Sequence, residues 1–369
     1  MGAVYWLTCR STEDLCATTH RALLTGLVDR GHEVTIVNPD EEGIHRHEVW
    51  THVHVPSSTV KGRTAAVAAR HMRLWALNHT FPSKAIAVLD WRIAGRVAPV
   101  LDRLGIPWTV LDRSPPAHAG LLSRLQWLVW NRAWRLVEKN PGAVGFVVSP
   151  SHARLVEHRT HTSPNNIVVL PAGVDLVRFQ PGSRRQRLTM AYHGRLDKNR
   201  GVLALPMLAQ KARNAGVDVD LILIGEGDAA KGLNRIASSM NGVDVHPTMP
   251  QHELASLLAT CHIGLLPMPN TPVWAAASPL KQTEYAASGL LMLGIDHEGH
   301  RLRKRRSEPW LKLTEQADFF EEGIAWLMGL TVDDVERIGA EARAFAEAEL
   351  SWDVAVEALH ASLVRLTNA

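Results

Sequence analysis

Cysteine is nearly absent from this 369-residue chain. Only Cys9, Cys16 and Cys261 occur, an odd number spread over the whole length. That excludes a disulfide framework and suits a reducing compartment. Long apolar runs are also missing. No stretch approaches the roughly 20 residues of a membrane-spanning helix. The apolar opening, Val4 to Thr8, is too short for the core of a signal peptide, so a cytoplasmic protein is expected. Nor is there an excess of one charge: the formal net charge is +3, too small to imply a nucleic-acid partner. Tyrosine is scarce, three residues against twelve tryptophans, which makes the placement of the tryptophans a question in itself. Internal repeats and low-complexity tracts are absent. What remains, 46% apolar and 21% charged residues, is ordinary for a soluble enzyme.

Short β-branched and aliphatic runs alternate with amphipathic stretches of helical period. Val4–Thr8, a helix ending at Gly31, and Glu33–Val37 make a βαβ opening. The rhythm continues through Ile86–Leu89, Trp108–Leu111, Gly145–Ser149 and Ile167–Leu170. It breaks at Pro171 to Arg187, a segment rich in Pro, Gly and Arg with no periodicity, which reads as an interdomain linker. It resumes with Thr189–His193, Val219–Ile224, Val243–His246, Ile263–Leu266 and Leu290–Ile295. The expected fold class is α/β: two Rossmann-like parallel-sheet domains facing a cleft, residues 1–180 and 188–350. A C-terminal helix over 351–369 is expected to pack back toward the first domain. Ligands of such sheets sit at the carboxyl ends of the strands.

Ser278-Pro-Leu-Lys-Gln-Thr-Glu-Tyr-Ala-Ala-Ser-Gly289 has the grammar of an anion-holding helix. Ser278 is a suitable N-cap, Pro279 suits the first helical position, and Gly289 suits the stop. The first-turn N–H groups of Leu280 and Lys281, backed by the helix dipole and the Lys281 charge, would face a phosphate. Glu284, one turn on, would accept sugar hydroxyls. The alternative is a capped helix with solvated Lys and Glu. After the first strand of the second half comes His193-Gly194-Arg195-Leu-Asp-Lys198-Asn-Arg200-Gly201. Gly194 permits close backbone approach there, and Arg195 and Arg200 can converge on a diphosphate. A second glycine loop, Gly225-Glu226-Gly227-Asp228, lacks the full dinucleotide spacing.

Taken in series, these segments resemble the retaining GT-B-fold glycosyltransferases of family four. Pro171-Ala-Gly-Val-Asp175 through Pro181, Gly194 to Val202, Leu223 to Gly227, Ser278 to Gly289 and Leu350-Ser-Trp352-Asp carry the likeness, together with Gly31 to Val37. The resemblance implies that Arg195 stabilises a departing diphosphate. Arg200 stands where the family usually has lysine, with Lys198 as a neighbour able to share the role. Glu284 matches the second glutamate of the family's paired motif, which binds the nucleotide ribose. Ala276 occupies the place of the first, as in many relatives of the Ser-Pro-Leu-Lys type. Ser278, Pro279, Leu280 and Lys281 would present N–H groups to the β-phosphate. Gly194, Gly225 and Glu226 would line the donor, and Thr248 and Met249 would lie near the base.

On the first half, Asp112, Arg113 and His118 follow a strand and are candidates for the acceptor side. His118 is the candidate beside the reacting centre, and Ser11, Thr12 and Asp14 join the set from the first loop. Asp218 and Asp220, and the group His45, His47, His52 and His54, have the look of metal ligands but lack a supporting set. No metal or other cofactor is expected. The partners are then a nucleoside-diphosphate sugar and an acceptor of unknown kind, lipid-linked or polysaccharide. Trp127, Trp130 and Trp134 share one face of a helix with Arg124, Arg132 and Arg135 nearby. A core face is the favoured reading, and a peripheral membrane contact is the alternative. The run Arg301 to Arg306 is either a solvated loop or a site for anionic head groups. Two other functions remain open: a nucleotide-sugar epimerase, and a catalytically silent nucleotide-sugar-binding protein, the latter suggested by Ala276 and Arg200.

Overall fold

The structure is a computed structural model describing residues 2–13, 17–60, 62–116 and 121–368. The chain divides into two compact units, Met1–Pro171 with Trp352–Ala369, and Ala172–Ser351. In chain order the first unit contains β1 (Ala3–Leu7), α1 (Ala17–Asp29), β2 (Glu33–Asn38), β3 (Thr51–His54), α2 (Thr64–Asn78), β4 (Ile86–Asp90) and α3 (Trp91–Arg103). It continues with β5 (Trp108–Leu111), α4 (Leu121–Lys139), β6 (Gly145–Val147), α5 (Pro150–Thr160) and β7 (Ile167–Val169). Among the described residues seven strands form one parallel sheet in the order β3-β2-β1-β4-β5-β6-β7. Both faces of this sheet are covered, which is why its central strands read as unbroken apolar runs. Tyr5, Leu7, Ala87 and Leu89 pack with α2, α3 and α4. Val4, Trp6, Ile86 and Val88 point the other way, into a second core with Leu23, Leu24 and Leu27 of α1.

The second unit runs β8 (Leu188–His193), α6 (Leu205–Asn214), β9 (Val219–Ile224), α7 (Ala230–Ala237), β10 (Val243–His246), α8 (Gln251–Leu258) and β11 (Ile263–Leu266). It then adds α9 (Pro272–Ala275), α10 (Leu280–Ala287), β12 (Leu291–Ile295), β13 (Leu311–Thr314), α11 (Phe319–Met328) and α12 (Val332–Glu349). Its described strands form a parallel sheet ordered β10-β9-β8-β11-β12-β13. The edge strand β13 was not expected; at four residues, closely following a basic run, it carries little sequence pattern. The segment expected as a linker belongs to this unit from Ala172 onward. Val174 forms a parallel bridge with Ser351, and Phe179 is buried in the core. The Arg184 guanidinium bonds the carbonyls of Cys261, Ser288 (3.0 Å) and Gly289 (2.8 Å). The bond to Ser288 satisfies an orphan carbonyl at the end of α10, where Gly289 takes φ +68° as a C′ glycine.

The last helix, α13 (Trp352–Asn368), returns to the first unit. Ala355, Val356, Leu359 and Leu363 complete the core on the α1 side of the sheet. Among the described residues no helix is long and apolar enough to cross a membrane.

Gly26 gives this docking a test with a definite sign. In an exposed helix interior, Gly→Ala stabilises by about 1 kcal/mol. Here an added Cβ would stand 2.5 Å from Val356 Cγ2, and overpacking costs about 1–3 kcal/mol. Gly26→Ala is therefore expected to lower stability in urea unfolding, with the loss relieved in the Gly26→Ala/Val356→Ala double variant. A Gly26→Ala protein more stable than the parent would mean that α13 does not seat on α1.

Candidate functional site

The carboxyl ends of β8 and β9 are held together backbone to backbone. Gly194 and Gly225 adopt φ +112° and +139°. A Cβ on Gly225 would lie 1.9 Å from the Gly194 carbonyl oxygen, and one on Gly227 would lie 2.3 Å from the Leu196 carbonyl. Only glycine fits either place. The two loops are closed by hydrogen bonds from Gly194 N–H to Ile224 O (2.9 Å) and from Leu196 N–H to Glu226 O (2.8 Å). A third runs from Lys198 N–H to Asp228 Oδ1 (2.7 Å). The Lys198 residue is exposed.

α10 points its amino end at these loops. It begins at Leu280, with Pro279 as the N-cap residue in extended conformation. Ser278 does not cap it. Its hydroxyl instead accepts a hydrogen bond from Ala172 N–H (3.2 Å), at the chain's entry into the unit. The N–H groups of Leu280 and Lys281 are first-turn groups with no acceptor inside the helix. Lys281 to Ala287 are all buried, so the solvated reading of Lys281 and Glu284 fails. The Lys281 ammonium lies 4.3 Å from the centre of the Tyr192 ring and 3.3 Å from its hydroxyl. It sits just under Gly194, where an added Cβ would come within 3.6 Å of Nζ. Burial pulls its pKa down to about 7; Arg200 adds repulsion, and Glu284 opposes both. Glu284 Oε2 lies 3.1 Å from His193 Nε2, but not in hydrogen-bond alignment.

Two arginines complete the rim. Arg195 is held by a two-point contact with Asp197 (3.2 and 2.9 Å) and remains partly exposed. The Arg200 guanidinium packs 4.7 Å above the ring of Trp274, whose indole N–H donates to Asn199 O (3.2 Å). Ala276 is buried. Thr248 is exposed and Met249 half-buried beyond the end of β10. Gly225, Glu226 and Gly194 thus meet Lys281, Glu284, Arg195 and Arg200 at one end of the sheet. Among the described residues no hydrogen bond or ion pair joins Thr248 or Met249 to this group.

Several participants escaped the sequence reading. Tyr192 and His193 looked like the tail of a strand, and Trp274 lies in a short helix of four residues. His297 and His300, in the segment expected from the sequence to cover the donor, stack on each other at 3.8 Å. Gln282 of α10 donates to His300 O (2.6 Å). Burial takes His297 down to about 4 and His300 well below the usual histidine range. The strand-end positions of Tyr192 and His193 were the one available signal for them.

In the first unit, geometry reassigns several candidates. Asp112 is fully buried. It accepts from the indoles of Trp130 (2.5 Å) and Trp134 (3.0 Å), from His152 Nε2 (3.1 Å) and from Ser114 N–H (3.2 Å), so it is a structural hub and not an open acceptor group. Burial pushes its pKa up, but His152 and the indoles outweigh that and leave it below the usual range. Trp130 and Trp134 are therefore core residues. Trp127 is half-buried beneath Arg159 (3.9 Å). Arg113 donates to Leu170 O and Thr19 Oγ1, both at 3.2 Å. Ser11 and Thr12 turn inward onto Asp40, which also binds Asn38 and His45. His45 Nδ1 accepts from the Trp50 indole, so its proton sits on Nε2 facing Asp40. His52 bonds Asn38 and His54 bonds the Asp40 carbonyl. Asp218 and Asp220 clasp Arg187. The run Arg301 to Arg306 is largely neutralised by Asp296, Glu308, Glu315 and Glu349, which removes most of the charge a head group would need. Asp14 and His118 lie outside the described residues.

No protein-family profile matches the chain. A curated relative, the GDP-mannose-dependent alpha-(1-6)-phosphatidylinositol dimannoside mannosyltransferase of Mycobacterium tuberculosis (strain ATCC 25177 / H37Ra), is 31% identical over 126 residues. The match takes in 30% of this chain and 32% of that protein, so the chain spans about a third of the relative's length. Sucrose-phosphate synthase from Thermosynechococcus elongatus superposes with TM-score 0.75 at 14% identity, covering 100% of both chains. Anabaena Alr3699/HepE in complex with UDP gives TM-score 0.71 at 12% identity, covering 99% of this chain and 100% of that one. The two units are the Rossmann-like domains of the GT-B fold.

Lys281 sets up a measurable trade. In the folded state it titrates near 7 and in the unfolded chain near the usual lysine value of about 10.4. Between those values the unfolded chain binds more protons, so this group adds stability as pH rises through the window. Lys281→Met is expected to be more stable than the parent by about 1–4 kcal/mol near neutral pH. That advantage should shrink as unfolding is measured at pH 8, 9 and 10. A pH-independent difference would show that Lys281 is charged and paired in the native state.

Proposed function

We propose that the second unit holds a nucleoside-diphosphate sugar and that the chain transfers the sugar to an acceptor. The observation that carries this is Lys281, buried below Gly194 at the amino end of α10 with Arg195 and Arg200 on the rim. Burying an ammonium costs stability, and an incoming diphosphate would supply the missing counter-charge. The bond that breaks joins the anomeric carbon to a phosphate oxygen. The first-turn N–H groups of α10, Lys281 and the two arginines are placed where that oxygen gains charge, and such preorganised donors are the largest contribution to this kind of catalysis. Glu284, set beside His193, accepts ribose hydroxyls.

The motif resemblance favours retention by front-face attack. The acceptor oxygen bonds to the anomeric carbon on the side the leaving group departs from, and its proton passes to the departing phosphate, so no strong protein base is needed. The cationic groups suffice without a metal. Guanine and uracil are the leading donor bases, from the likeness to a GDP-mannose-dependent enzyme and to a UDP complex. A lipid-linked acceptor is favoured by the same mannosyltransferase. It is also favoured by Leu125 and Leu128, which are 59% and 65% exposed on α4 near Arg124, Arg132 and Arg135 and would suit a peripheral contact at the inner membrane face.

Two experiments test the reading. Melting temperature is measured against UDP, GDP, ADP and dTDP, each with and without Mg²⁺; a shift with one base and no dependence on Mg²⁺ is expected. With the matching sugar nucleotide, Arg195→Ala should then lose turnover by about 3 kcal/mol in barrier height, roughly a hundredfold. Near-normal turnover in that variant would remove Arg195 from the chemistry. Binding without nucleotide release in the parent would point to a silent sugar-nucleotide-binding protein, the reading that Ala276 favours.

A further inference from the structure

The formal charge of +3 conceals a strong imbalance within the first unit. Its sheet carries helices on both faces. On one face α2, α3 and α4 lie side by side, with α3 in the middle. These three helices hold nine basic residues, eight of them arginine, against two acidic ones. On the other face α1 and α13 hold two basic residues against three acidic ones. The excess therefore belongs to one face and not to the composition of the unit.

That charge is not compensated within the unit. Arg92 pairs with Asp90. The other seven arginines of these helices are all exposed, and among the described residues none of them makes an ion pair. The two acids that could oppose them are taken by neutral donors. Asp102 accepts from the Trp108 indole (2.7 Å) and the Asn140 amide (3.2 Å). Glu138 accepts from Ser163 N–H (2.7 Å) and the Asn166 amide (3.3 Å). Leucines stand exposed among the arginines: Leu74 and Leu77 on α2, Leu104 at the end of α3, Leu125 and Leu128 on α4. An exposed leucine gains nothing from a nucleic-acid backbone, whereas the acyl boundary of a bilayer buries it. Alongside them α4 bears a groove of about 370 Å³, lined by Leu128, Asn131, Arg132, Arg135, Leu136 and Lys139. Three cations set among leucines suit a phosphate head group, and guanidinium forks match its oxygens.

We propose that the α2–α3–α4 face docks the protein on a bilayer rich in anionic phospholipid, with a head group seated in the α4 groove. The contact spans three helices and not α4 alone, and it stands whether or not the sugar-transfer reading holds. The arginines draw the face to the surface, and the leucines hold it there once salt has screened part of that attraction.

The test is co-sedimentation of the full-length protein with vesicles. Binding is expected to phosphatidylglycerol vesicles and not to phosphatidylcholine vesicles. Arg70→Gln/Arg73→Gln on α2 and Arg132→Gln/Arg135→Gln on α4 are each expected to weaken it about tenfold. Leu74→Ser/Leu77→Ser, which leaves the charge unchanged, is expected to weaken it as well. All six side chains are exposed, so the melting temperature of each variant should stay at the parent's value. Equal binding to both kinds of vesicle, or binding to neither, overturns the proposal. So does parental binding by any of the three variants; in the α2 arginine variant it would confine the contact to α4. A DNA duplex bound as tightly as phosphatidylglycerol vesicles, with the leucine variant unaffected, would make the face a nucleic-acid surface instead. Vesicle binding without any melting shift from nucleoside diphosphates counts against the donor site and leaves this face standing.

Discussion

A phenol ring fills the space where β11 has no side chain. The Tyr285 ring lies so close above Gly264 that an added Cβ would stand 2.2 Å from it. Its hydroxyl donates to Ala191 O and accepts from His193 N–H, both at 3.3 Å, at the last turn-off of β8. This seats α10 directly on the sheet. Once Tyr285 is in place, Lys281 and Glu284 are carried by helical geometry onto the face turned toward the β8 loop. Thr283 goes to Gly173 O and Gln282 to His300 O. Nearly every side chain of this short helix is committed to a different neighbour, so the N-terminal N–H groups are aimed with little freedom.

The electrostatics depend on that rigidity. An ammonium held over an aromatic face, beside Arg200 and away from water, is poorly compensated. A chain selected only for stability would place a methionine there. Local disagreement with the rules of a good core is where function is usually found. Asp112 is the opposite case: it too is a buried charge, but two indoles and an imidazole satisfy it, and it holds together α4, α5 and the end of β5. Both are ionisable groups near strand ends, but one is fully partnered and the other is not.

The parallel sheets, the glycine loops and the existence of α10 were legible because each depends on short-range pattern: apolar runs, Gly after a strand, Ser-Pro before a helix. The illegible parts depended on partners far along the chain. Asp112 after β5 reads the same whether it faces solvent or the indoles 18 and 22 residues on. Ser278 matches an N-cap by type, and only the arrival of Ala172 diverts its hydroxyl. The histidines of the first unit mimic metal ligands until Asp40, Asn38 and Trp50 are seen to use their ring nitrogens. The basic run Arg301 to Arg306 looked available because its acids, among them Asp296 and Glu349, come from separate elements. The tryptophan spacing from 130 to 134 did announce a shared face, and that face is internal.

The first unit is stitched from two ends of the chain, and the order of synthesis therefore matters to it. Residues 172–351 form a continuous unit whose core closes without outside help, so it can finish folding while the ribosome is still making α13. The earlier-made unit cannot. Leu23, Leu24 and Leu27 of α1 wait for Ala355, Val356 and Leu359, which are made only after the second unit. Domains usually fold in the order they are made; here the second to be translated is the first able to complete itself. Throughout that interval the nascent chain carries an open apolar groove along α1, a ready target for chaperones.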